Sequence, residues 1–390
     1  MPFSDGQSKP RNTPNTRKEW ILRIMTFPRV SRIWRFKMPF VRMLEQSKYW
    51  ALALSALAAL NSSRADLMFN IVPETGTPQY VVDAFNLAAA RWSAVLANPI
   101  TVNIDLGWSS LGSGVLGQTT PTFVQQNYAA VTAALNASAS SADDQSAYAH
   151  LQSGSTYSRL INHTTDNPNG ANSGTPYVNS LTPVTITRAN ARALGLVGAS
   201  SSSDARIQFN SNAAFDFNPA DGTTSSQFDF VTVAAHELGH ALGFVSVVNQ
   251  IEQQGGAAGQ LPSSILDLFR FSAESVAAGQ GFGDATADGR DKYFSVDGGI
   301  SAAGPFANGA IYGSGYQADH WREWSFTGLM DAQSFLGLQR RIGPHDLQGF
   351  DVLGYTIPEP GTGALLILGM LLRWHRMTKL KGESSPLGRR

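Results

Sequence analysis

The chain has 390 residues, 43% of them apolar and 15% charged, and its 29 basic and 29 acidic side chains leave no formal net charge. That length suits one large domain or two modest ones with a sizeable core. Basic residues concentrate at the two ends, which excludes a broad nucleic-acid face. The absence of cysteine excludes disulfides and thiol chemistry.

Residues 1–48 are basic and irregular, with Arg11, Arg17, Lys18, Arg23, Arg29, Arg32, Arg35, Lys37, Arg42 and Lys48. A short apolar run follows at 49–60. It is too short to cross a bilayer comfortably and fits the core of a signal peptide preceded by Arg42 and Lys48. Ser63-Arg64-Ala65 offers small residues at both cleavage-defining positions, so cleavage is expected before Asp66. The long basic leader makes Met38 or Met43 an alternative start.

From residue 66 the periodicities alternate. A strand is expected at 67–72, an amphipathic helix at 78–97 (Val82, Phe85, Leu87, Trp92), a half-buried strand at 100–106 and a helix at 123–137. Residues 138–156 are rich in Ser and Ala, and 163–176 in Asn, Gly, Pro and Thr. Both read as surface excursions. A short strand at 184–187 and a short helix at 188–194 precede a serine loop at 199–203 and strand-like stretches at 206–210 and 214–217. The element order implies an α+β protein with a helix packed under a twisted sheet.

That helix starts near Ser226 or Asp229, either of which could cap it. It carries His236-Glu237-Leu238-Gly239-His240, followed by Gly243-Phe244. Histidines four apart leave one face of a helix and supply two corners of a tetrahedral zinc site, with Glu237 beside the first. The motif predicts a zinc hydrolase.

Beyond residue 243 the pattern weakens. Strands are expected at 265–271 and 293–296 and a last short helix at 344–354. Asp284-x-Thr-x-Asp288-Gly289 imitates a calcium loop but has Ser295 where the last acidic ligand belongs, so a plain turn is expected. The tail runs Pro358-Glu359-Pro360, a short apolar stretch at 361–372, then Arg373, Arg376, Lys379 and Lys381.

A catalytic zinc needs a third protein ligand. The compact pattern that places it three residues after the glycine has Ser246 at that position, and a neutral hydroxyl is a poor ligand. Glu252, Glu274, His345 and His320 are the downstream candidates. His320 stands in Ala318-Asp319-His320-Trp321, and Gly328-Leu329-Met330-Asp331 follows.

The series His236, Glu237, His240, Gly243, Phe244, His320, Trp321, Leu329, Met330 resembles the leishmanolysin family of metzincin zinc metallopeptidases, over residues 230–331. The resemblance implies a metzincin-like zincin fold and zinc held by His236, His240 and His320. It further implies Met330 in a turn beneath the metal and Glu237 as general base in the hydrolysis of peptide bonds. Leishmanolysins are cysteine-rich and this chain has no cysteine, so their disulfides, latency device and substrate preference do not carry over. The tail resembles a PEP-CTERM sorting signal. It implies an exosortase-type sorting partner, transient contact of 361–372 with the inner membrane, and delivery to the cell envelope, surface or extracellular matrix.

The organisation expected is therefore a leader at 1–65, an N-terminal subdomain at 66–243, a C-terminal subdomain at 244–357 and a sorting tail at 358–390. The expected function is an exported zinc endopeptidase acting on a protein or peptide that adds as a strand along 206–210. The alternatives are a metal-stabilised surface or matrix binding protein without peptidase activity, and a zinc hydrolase of non-peptide substrates.

Overall fold

The computed structural model describes residues 66–253 and 258–358. The leader, the expected cleavage site and the tail from residue 359 lie outside the described residues. The first elements are β1 (Met68–Pro73), α1 (Gln79–Ser93), β2 (Thr101–Ser109) and β3 (Gly117–Pro121). Helix α1 buries Val81, Ala84, Phe85, Ala88, Ala89 and Trp92, the single stripe that its 3.6-residue period brings onto one face.

Next come β4 (Phe123–Asn127), α2 (Tyr128–Ser138), α3 (Ala142–Ala149), β5 (Tyr157–Ile161), β6 (Tyr177–Leu181), β7 (Pro183–Thr187), α4 (Arg188–Ala193) and β8 (Ala205–Asn210). The expected helix at 123–137 is thus a strand followed by a helix, because Phe123 to Asn127 pair antiparallel with β7. The Ser/Ala-rich stretch 138–156 is not a plain excursion. It holds α3, capped by the Ser141 hydroxyl and burying Asp144, Ala147 and Tyr148. Tertiary contact overrides composition here: Ser141 Oγ donates to the Asp351 carboxylate at 2.6 Å.

The principal sheet has the order β1-β2-β8-β3. β1, β2 and β8 run parallel, and β3 closes one edge antiparallel to β8. Residues 206–210 therefore lie inside the sheet between β2 and β3, and cannot receive a peptide as an added strand. The edge belongs to β3, a polar stretch (Gly-Gln-Thr-Thr-Pro) without the apolar alternation that marks a half-buried strand.

After β9 (Phe215–Asp216) and β10 (Phe228–Asp229) comes α5 (Phe230–Leu242), the helix of the histidine motif. Its cap is Asp229, whose carboxylate accepts the Thr232 N–H at 2.5 Å. Every residue of α5 except His236 is buried. α1 packs on α5, and the Trp92 indole donates to the Ala235 carbonyl at 2.8 Å. At Gly243 the backbone takes φ 123°, a region that disfavours any side chain. The chain then turns into α6 (Val247–Gln253), bent 94° from α5.

The remaining elements are small: β11 (Arg270–Phe271), α7 (Ala273–Ala278), β12 (Gly283–Ala285), β13 (Lys292–Phe294), β14 (Gly304–Phe306) and α8 (Pro344–Val352). The strand expected at 265–271 is a 3-10 turn, Leu266–Phe269, followed by the two residues of β11. Asp288 ion-pairs with Arg290 and Lys292, and Asp284 accepts from Ser272 and Thr286. The calcium-like segment thus runs from β12 through a bend into β13, with its carboxylates engaged by Ser272, Thr286, Arg290 and Lys292. The protein is of mixed α+β class. One apolar cluster runs from Leu67 to Tyr355 and includes residues on both sides of Gly243. Among the described residues no single helix is long and apolar enough to cross a membrane.

Asp229→Ala removes the cap of α5 and is expected to lower stability by about 1 kcal/mol, read by denaturant unfolding; an unchanged midpoint would show that the cap contributes nothing.

Candidate metal centre

His236, His240 and His320 meet although 80 residues separate the last two. Their Nε2 atoms lie 3.1 Å (236–240), 3.1 Å (236–320) and 3.2 Å (240–320) apart. His240 and His320 are buried, and His236 is partly open to a cleft of about 1300 Å³. Each outer nitrogen faces a main-chain carbonyl. His236 Nδ1 is 2.9 Å from Leu329 O, His240 Nδ1 2.7 Å from Phe244 O, and His320 Nδ1 3.1 Å from Gln317 O. A carbonyl can only accept, so each Nδ1 carries the proton and each neutral ring turns a bare Nε2 lone pair inward.

Three lone pairs at that distance repel one another. One added proton can bridge two of them and leaves the third unsatisfied; a metal ion satisfies all three. Tetrahedral zinc with nitrogen ligands at about 2.0–2.1 Å holds those nitrogens roughly 3.3–3.4 Å apart, close to the spacing observed. Burial pushes His236 well below its ordinary range and His240 below it, against protonation of either. At His320 burial pulls the same way, but the adjacent Asp319 carboxylate outweighs it and the net direction is upward. The donor set fits a metal ion, and these three residues form a group that could hold one.

The rings converge because of what lies behind them. Phe244 and Trp321, each next to a ligand segment, pack edge to face with centroids 5.1 Å apart, and Trp321 stacks on Phe306 at 4.9 Å. Phe244 thereby brings the end of α5 against the irregular segment carrying His320. Met330 is fully buried against Gly239. A Cβ on Gly239 would stand 2.4 Å from Met330 Sδ and 3.4 Å from Trp92, so the glycine between Leu238 and His240 is what admits the methionine against this turn of α5.

One residue that organises this floor has no motif of its own. Asp346, fully buried at the start of α8, accepts the N–H groups of Leu329 (2.7 Å), Met330 (3.1 Å) and Gly343 (2.7 Å) and the Trp321 indole (2.8 Å). It pins the 328–330 turn whose Leu329 carbonyl orients His236. Asp346 adjoins the candidate ligand His345 and belongs to no recognised motif. A carboxylate three residues after Gly343, at the first turn of a helix, was the only local hint.

Glu237 lines the cleft beside the triad. The Thr119 hydroxyl of β3 is 2.7 Å from its Oε2 and 2.9 Å from its main-chain carbonyl. Burial pushes the Glu237 carboxyl up to about 7, against the pull of the Thr119 hydroxyl. Nothing local in the sequence marks Thr119, because β3 is a polar strand placed by its pairing with β8.

The other candidate ligands lie elsewhere. Ser246 donates to Asp267 at 2.6 Å. Glu252 accepts the N–H groups of Ala310, Ile311 and Tyr312. Glu274 ion-pairs with Arg290, and His345 packs at 6.4 Å from Trp321. No protein-family profile matches the chain, and neither a curated protein nor a solved structure is significantly similar to it.

Gly239→Ala is expected to lower the stability of the metal-free protein by about 1–3 kcal/mol through overpacking against Met330; a helix-propensity effect alone would raise it by about 1 kcal/mol, so the sign of the change in denaturant unfolding decides. A second expectation concerns Glu237. Its folded pKa, about 7, lies above the unfolded 4.5, so the metal-free wild type loses stability as pH rises from about 4.5 to about 7. Glu237→Gln lacks this titration and should gain on wild type across that window, by up to about 3 kcal/mol. A pH-independent difference between the two would refute the shift.

Proposed function

We propose that this chain is an exported zinc-dependent endopeptidase with a metzincin-like zincin fold related to that of the leishmanolysins. The observation that carries the reading is the convergence of three bare imidazole nitrogens beside a cleft-lining carboxylate. His236, His240 and His320 would hold the ion, and a site of three imidazoles suits zinc. When bound, the ion supplies Lewis-acid activation of water and stabilisation of charge on the scissile carbonyl.

The remaining work falls to the protein's own groups. Thr119 fixes Oε2 of Glu237 and with it the rotamer of the carboxylate. Glu237 lines the cleft beside the histidines, so it can take the proton from the attacking water and deliver it to the leaving amine. Met330 and Asp346 hold the floor still. Among the described residues β3 pairs only with β8, and its residues line the cleft. An extended peptide would add along β3, which brings its carbonyls past Glu237.

A metal site that merely stabilised a binding scaffold would be closed by a fourth protein donor. Among the described residues the donor group has three members and borders the cleft, which favours catalysis. The leader and the Pro-Glu-Pro tail of the sequence support export, an exosortase-type partner and transient inner-membrane contact through 361–372.

The purified protein is expected to cleave an unfolded protein and to lose that activity to a chelator. Glu237→Ala should cut turnover by about 10²–10⁴-fold with zinc content unchanged, measured by peptide hydrolysis beside metal analysis. Full activity in that variant would sink the mechanism. His320→Ala should lower bound zinc, and undiminished zinc would remove His320 from the ligand set.

A further inference from the structure

Asp319 carries a carboxylate to the outer side of the histidine group. It is 8% exposed. Its Oδ1 is 3.1 Å from His320 Nδ1, and its Oδ2 is 3.7 Å from His240 Nδ1. One carboxylate therefore spans the outer nitrogens of two of the three imidazoles. Neither ring faces it alone, because the Nδ1–H groups of His240 and His320 also face the carbonyls of Phe244 and Gln317. Oδ1 is left buried without a hydrogen bond of good geometry. Among the described residues no Lys or Arg forms an ion pair with Asp319.

A buried carboxylate without a fixed cation costs several kcal/mol. Its hydrogen-bonding neighbours, the side chains of His320 and Asn249, are not fixed cations. The Ala318 N–H is held by the Asn249 side chain at 2.9 Å, and the His320 carbonyl accepts the Ala307 N–H at 3.0 Å. The charge is explained by a cation on the other face of the rings.

We propose that Asp319 is the counter-ion of the metal site, a positioning residue that acts through His240 and His320 to make their Nε2 atoms better donors and so to set the affinity for the ion. This rests on the reading of the three histidines as a metal site. A carboxylate behind a ligating imidazole raises its basicity, and loss of such a partner typically costs 10–100-fold in metal affinity. No part of the histidine motifs singles out this position; the placement of the carboxylate relative to both rings does.

The test is Asp319→Asn in the full chain, with zinc titrated at fixed pH 7.5 against a chromophoric chelator and thermal melting of the metal-free protein at pH 9, where free histidine is neutral. The expected result is a zinc Kd raised about 10–100-fold, with the metal-free variant melting at or above wild type. Asp319→Glu, which keeps the charge, should bind zinc more tightly than Asp319→Asn. Equal zinc affinity in wild type and Asp319→Asn would overturn the proposal. So would a metal-free Asp319→Asn that melts lower or fails to fold, since a structural carboxylate contributes stability and a counter-ion without its cation costs it. Absence of zinc binding by the wild type would instead overturn the underlying metal-site reading.

Discussion

Three neutral imidazoles cannot turn their lone pairs toward one point at 3.1–3.2 Å without a cation among them. The rest of the structure bears on holding that unfavourable arrangement in place. Two rings come from α5, where a spacing of four sets them on one face. The third comes from a segment with little regular structure of its own. Each ring is locked by a carbonyl from a different stretch, at Leu329, Phe244 and Gln317, so the folding of the chain beyond Gly243 orients all three.

The locking carbonyls are themselves fixed. Phe244 follows a glycine whose positive φ lets the chain leave α5 sharply, and its ring packs on Trp321. Leu329 belongs to the turn that Asp346 holds by the N–H groups of Leu329 and Met330. Arg340 ion-pairs with Asp331 and donates to the Gly328 carbonyl, and its own N–H reaches Thr232 at the start of α5. A charge-assisted bond of this kind contributes roughly 1.5–3 kcal/mol, against about 1 for a neutral one. The floor of the site is thus bound to the helix at both ends, and the small strands after Gly243 serve mainly to carry His320 back to it.

Much of this was legible in the sequence, and the legible part is local. The helix, a cap at Ser226 or Asp229, and the pair His236 and His240 follow from periodicity and residue chemistry over about fifteen positions; the structure assigns the cap to Asp229. His320, Trp321 and Met330 could be picked out only through their likeness to a known series, because no physical rule ties a histidine to partners 80 residues away. What was missed is tertiary. β3 is a polar strand whose place comes from pairing with β8, so an edge was assigned to 206–210 that those residues do not have. Thr119, Asp346 and Asp319 are ordinary polar residues in sequence and acquire their roles from what the fold sets beside them. Gly239 owes its place to Met330, whose Sδ occupies the space a Cβ would take.

The central claim is that His236, His240 and His320 together hold one zinc ion and leave a position open. X-ray absorption at the zinc edge of the loaded protein tests it most directly. The account predicts one zinc per chain with three imidazole nitrogens at about 2.0–2.1 Å and a single further oxygen. A shell with fewer than three imidazoles, or one closed by a fourth protein donor, would contradict it.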